Sequence, residues 1–168
     1  MAIPLKDKDK LILMYEAGQI VARIFENLKE YVNEGKSTAE LNSVVDTMIR
    51  QSGAKPAFLG YLNYPASTCI SINEEIVHGI PSHNRFIKNG DIVSIDIGVF
   101  YRGIFGDAAR TIAIGKVSRA AKHLIRTGKE CAGGSYWIWL GLDSGSDPQG
   151  NGSIANSVTR YVGAGGNR

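Results

Sequence analysis

The chain has 168 residues, 43% of them hydrophobic and 21% charged, with a formal net charge of +3. That is enough for one ordinary globular domain with a real core, and the charge is too mild to point to nucleic acid. Cys69 and Cys131 lie far apart in no CxxC spacing, which argues against a disulfide framework or structural zinc and suits a reducing cytosol. The charged N-terminus lacks the apolar stretch of a signal peptide, and no apolar run approaches a membrane span.

Residues 8–33 place Leu11, Met14, Ala17, Ile20, Val21, Ile24, Phe25, Leu28 and Val32 at helical spacing, which predicts an amphipathic helix ended by Asn33, Glu34 and Gly35. Ser37, with Glu40 three residues on, forms a capping-box pattern. Leu41, Val44, Val45, Met48 and Ile49 continue as a second helix, with Gly53 placed to stop it. An aromatic loop, AFLGYLNYPAS, follows, then a short strand, TCISIN, and the stretch EEIVHGIPS after a tight turn. NGD at 89–91 is a turn signal. IVSIDIGVF and IFGDAARTIAIG read as two strands joined in a hairpin around YRG. Helices first and strands afterwards give an α+β order without βαβ alternation. A third helix begins near Ser118, and beyond Cys131 the periodicity degrades until Ile154, Val158, Tyr161 and Val162 recover helical spacing.

The hairpin holds the chemistry. Aspartate is depleted in strands, yet Asp96 and Asp107 sit in these two, eleven residues apart. Val93, Ile95, Ile97 and Val99 point one way, whereas Ser94, Asp96 and Gly98 point the other. If the turn is centred between Tyr101 and Arg102, Asp96 lies opposite Asp107. If it is centred one residue later, the two are diagonal neighbours. In both registers they leave the same face, with β-carbons roughly 5–8 Å apart. Two carboxylates so close repel each other. A divalent cation could bridge them, they could share a proton, or they could be solvated edge charges. Small neighbours (Gly98, Gly106, Ala108 and Ala109) leave room for a guest, and Arg110 points to the other side.

His78, placed at a strand end, has a structural reading and a functional one, as a hydrogen-bonding partner of a substrate amide or as a metal ligand. His83 and His123 read as surface residues. Phe58, Tyr61 and Tyr64 pack under a loop or line an apolar pocket for a substrate side chain.

KPAFLGYLNYPASTCISINEEIVHGIP followed by GDIVSIDIGVFYRGIFGDAARTIAIG closely resembles type I methionine aminopeptidase, over about residues 1–130. The resemblance implies the pita-bread fold (creatinase/aminopeptidase-like, α+β), of which these residues would be the N-terminal half, with an antiparallel sheet and flanking helices. It implies metal-dependent removal of the initiator methionine from nascent chains. Two divalent ions (cobalt, manganese, iron or zinc) are expected in that family, held by five side chains. Asp96 matches a ligand that bridges or chelates, and Asp107 one that bridges. His78 matches a histidine touching the substrate near the scissile peptide, and Phe58, Tyr61, Tyr64 and Cys69 match the lining of the methionine pocket. A cytoplasmic, ribosome-associated monomer with no DNA or membrane partner is also implied.

The family's remaining ligands are a histidine and two later glutamates. After Glu130 the chain has neither residue type. The expectation is therefore a divergent tail over 131–168, disordered or partly helical, with weak or partial metal binding and impaired hydrolysis. Half of a two-layer fold also leaves apolar surface uncovered, which favours self-association. The alternative from another class is a non-catalytic pita-bread-like module that binds a peptide or a partner.

Overall fold

A computed structural model describes residues 5–141, with side chains to residue 132. Helix α1 spans Lys8–Leu28 and α2 spans Thr38–Gln51. Strand β1 (Lys55–Pro56), a single 3-10 turn (Tyr61–Asn63) and β2 (Thr68–Ile72) follow. The long strands β3 (Ile92–Tyr101) and β4 (Ile104–Ala113) come next, then α3 (Arg119–Gly141).

Local chemistry sets the element boundaries. Asp7 caps α1, its Oδ1 accepting from the Lys10 amide at 2.8 Å. The Ser37–Glu40 capping box forms as the spacing predicts, with both reciprocal bonds present. Gly53 adopts a left-handed φ of +74° and its N–H donates to Arg50 O at 3.0 Å, closing α2. The first helix is shorter than its apolar stripe: it ends at Leu28, yet Val32 is still buried, reaching the core from the turn beyond. Ser118 caps α3 through its Oγ, which accepts from the Ala121 amide at 3.1 Å. The helix runs past Cys131 to Gly141, so its backbone does not stop where the sequence pattern degrades. The helical spacing at Ile154–Val162 lies outside the described residues.

The sheet is antiparallel throughout, with β3 at its centre. β4 lies along one side of β3, while β2 and the short β1 share the other. Val93, Ile95, Ile97 and Val99 are fully buried and join one core with Ile20, Val21, Ile24, Phe25 and Leu28 of α1 and Leu41, Val45 and Ile49 of α2. The two helices thus cover one face of the sheet. α1 sits so close that a β-carbon on Gly106 would lie 2.8 Å from Ala17 O. On the opposite face Ala109 and Ala113 are exposed and Phe105 is half exposed. The carboxylates are on that opposite face.

Candidate metal centre

A two-residue turn fixes the hairpin. Arg102 and Gly103 both have positive φ, +47° and +85°, the pattern of a type I′ turn whose twist suits two antiparallel strands. Tyr101 then pairs with Ile104, Gly98 with Asp107, and Asp96 with Ala109. This is the later of the two registers considered, so the aspartates are diagonal neighbours on one face. Arg110 points to the helical side as expected, its Nη1 on Glu26 Oε1 at 3.1 Å and its guanidinium 5.1 Å from the centre of the Phe25 ring.

Neighbouring strands complete the surroundings. Cys69 of β2 pairs directly with Asp96, placing the buried thiol beside the carboxylate. One rung further along, the Ser94 and Thr111 hydroxyls meet at 2.8 Å. The Phe58 ring covers Gly98, where a β-carbon would lie 2.4 Å from Phe Cε1. Only glycine at 98 lets the ring approach beside Asp107's strand partner. The signal for this contact was a glycine in mid-strand, but nothing in the sequence named the ring that would use it.

Burial is the main cause that lifts the Asp96 carboxyl to about 7, and the nearby Asp107 adds to it by charge and by hydrogen bonding. Asp107 is raised by its own burial, partly offset by its hydrogen bond with Asp96. Both carboxyls are therefore held above the ordinary aspartate range. Even so, Asp107 Oδ1 is buried without a hydrogen-bond partner. An orphaned carboxylate oxygen, a second carboxylate beside it and small residues around both suit a hard divalent cation. The fit is to part of a ligand shell, because the described residues contain no group of three or more His, Cys, Asp or Glu that could hold a metal. The Cys69 thiol is likewise pushed up, chiefly by burial and further by both aspartates, which keeps it a neutral wall of the site.

The other sequence-selected residues divide. The Tyr64 hydroxyl lies 3.0 Å from Thr68 O and 3.3 Å from Gly79 O. Burial raises its pKa, and its hydrogen bond with Cys69 raises it further. Tyr64 therefore joins the Cys69–Asp96 cluster. Tyr61, 69% exposed on the 3-10 turn, does not. His78 is not at a strand end. β2 stops at Ile72 because Asn73 turns left-handed (φ +56°) and its side chain bonds Asp91 Oδ1 and the Ile92 amide. His78 is exposed in the following loop with φ +60°. Its neighbour Gly79 is pinned to β2, accepting from the Ile70 amide at 2.8 Å and donating to Ser71 Oγ at 3.1 Å. His83 and His123 are exposed, as expected. A cavity of about 380 Å³ opens elsewhere, among Asn73, Glu75, Asn84, Arg85, Phe86 and Asp91, and does not include the carboxylate pair.

The hairpin aspartates, with the HGIP stretch pinned to the adjacent strand β2, form a pattern that can be compared with known proteins. The model of metallopeptidase family M24 matches residues 12–132. The chain belongs to metallopeptidase family M24. It is 43% identical over 128 residues to a methionine aminopeptidase of Clostridium acetobutylicum, covering 76% of this chain and 51% of that one. The methionine aminopeptidase of Clostridium perfringens is 38% identical over 164 residues, 98% of this chain and 63% of its own length, so that match continues past Cys131. The crystal structure of methionine aminopeptidase from Thermotoga maritima aligns with a TM-score of 0.79 at 34% identity, covering 82% of this chain and 55% of that one. This M24 chain therefore spans between half and two thirds of the length of these relatives. Its α+β architecture is the pita-bread fold, and family membership implies divalent metal ions. No helix among the described residues is long and apolar enough to cross a membrane.

Proposed function

We propose that this M24 chain takes part in metal-dependent removal of the N-terminal methionine from nascent polypeptides. The observation that carries the reading is the carboxylate pair on one face of the β3–β4 hairpin, with one buried oxygen left unpartnered. Asp96 and Asp107 would hold the divalent ions, Asp107 from its orphaned Oδ1. When bound, such ions supply Lewis-acid polarisation of the scissile carbonyl and a nucleophile at neutral pH.

The remaining roles belong to the chain's own side chains. Phe58, Tyr64 and Cys69 wall the apolar side of the carboxylates, where a methionine side chain would be excluded from water, and Tyr61 would reach it by movement of its exposed turn. His78 would hydrogen-bond the substrate at the scissile peptide from the loop pinned to β2. With two carboxylates as the only ligands in the described residues, we expect weak metal binding and slow hydrolysis from this chain on its own.

The incomplete donor set also favours a second reading, a peptide-binding module without catalysis. One titration separates them. Adding Mn(II) or Co(II) to the wild type should give a saturable response that Asp96→Asn and Asp107→Asn each weaken at least tenfold, as expected when one ligand of a small set is lost. Identical responses from all three would remove the metal site. Release of methionine from a Met-Ala-Ser peptide, abolished by a chelator, supports the enzyme reading. Peptide binding without release supports the module.

A further inference from the structure

His78 sits on a loop pinned to β2 at Gly79 and gripped on both sides by one side chain from a later segment. We infer that Arg85 is a positioning residue for His78, an inference that rests on the aminopeptidase reading for its consequence but not for its geometry.

The Arg85 guanidinium grips the loop on both sides of His78. Nη1 donates to Ile80 O at 2.9 Å, two residues after the histidine. Nη2 pairs with Glu75 Oε2, three residues before it, and approaches Ile70 O of β2 at 3.5 Å. Glu75 in turn accepts from the Ile72 amide at 2.9 Å, where β2 ends. The planar fork thus ties two backbone carbonyls and one carboxylate together around the loop, with the Ile72 amide joined through Glu75, a geometry that lysine cannot reproduce.

The clamp is anchored from a rigid base. Arg85 O accepts from the Thr38 amide at 2.9 Å, at the start of α2. Thr38 is fully buried, and its hydroxyl accepts from the Ser82 amide at 2.9 Å. The side chain therefore reaches out from a loop whose backbone is tied to the first residue of α2. His78 itself is exposed, in a left-handed conformation that few non-glycine residues adopt. No hydrogen bond to its imidazole is found among the described residues. Its position depends on what holds the backbone on either side, and those are Arg85's contacts and the pinned Gly79.

The test is amide hydrogen exchange and histidine-ring NMR on the full chain, comparing wild type with Arg85→Gln, Arg85→Lys and Glu75→Gln. In Arg85→Gln the Gly79 amide should exchange roughly tenfold faster or more, since a charge-assisted clamp is lost. Amides of Ile95 and Ile97 should be unchanged, and the ring signals of His78 should shift while those of His83 and His123 stay in place. Arg85→Lys should recover only part of the protection. Unchanged Gly79 exchange and an unmoved His78 signal would overturn the inference, as would an equal loss of protection across the whole sheet. If Arg85→Gln does not fold, Glu75→Gln decides on the same two readouts. Titrating methionine amide into the wild type, followed on the His78 ring, tests the parent reading separately. Silence there removes the substrate role of His78, while the Arg85 effect on Gly79 stands or falls by itself.

Discussion

Asp96 shows how one buried carboxyl can make the fold depend on pH. Its carboxyl ionises near 3.8 in an unfolded chain and near 7 in the folded one. The folded state thus keeps a proton that the unfolded state has released. The associated stability is fully present below about pH 3.8 and is lost as pH rises towards 7. For the metal-free chain, the melting temperature should therefore fall between pH 5 and pH 7.5, and added Mn(II) should recover it. Asp96→Asn should flatten that dependence and stabilise the metal-free chain at pH 7 by about 1–3 kcal/mol. A pH-independent melting temperature in the wild type would contradict a raised Asp96 ionisation. The pairing of these aspartates was legible from strand parity alone, because residues 96 and 107 leave the same face in either register. Which residue stands opposite each was not, since that depends on a turn centre one residue wide. The Phe58 ring on Gly98 was not legible either, because the two positions are forty residues apart and meet only once β1 pairs with β3.

The hairpin as an element depends on its two-residue turn. Gly103, at φ +85°, is the position where a side chain is strained. Gly103→Val should cost about 1–2 kcal/mol in chemical denaturation and weaken Mn(II) binding in parallel. Equal metal affinity in the variant would mean that the register is held by β2 and β1 rather than by the turn. Helix starts were legible because capping is local: Ser37 and Glu40 need only each other. Helix ends and the His78 loop were less so. Val32 continues the apolar period after α1 has ended, because a turn can deliver a side chain to the core as well as a helix can. His78 leaves the strand because Asn73 bonds to Asp91 and Ile92 across nineteen residues, a long-range contact that no local window contains.

Across the whole molecule, the helices cover one side of the sheet while apolar side chains remain on the surface. Leu62 is 83% exposed and Ile76 89% exposed, with Phe86 and Phe105 half exposed. If these side chains form one apolar patch, the chain should self-associate. Mass measured by light scattering should rise with concentration, and a constant monomer mass over a hundredfold range would exclude it. The fold class and the family were within reach of the sequence at this scale, since the order of elements and two distinctive blocks suffice for both.

Gly106 adds one further consequence. It immediately precedes Asp107, and the α1 backbone lies directly behind it, too close for even a methyl group. The strand that carries the carboxylate has no slack to retreat, so the space in front of Asp107 is bounded from the rear by a helix that would not touch a cation held there. Enlarging Ala17 would push on that wall, so if the aspartates hold a metal, a residue on the far side of the sheet would tune which ion radius they accept.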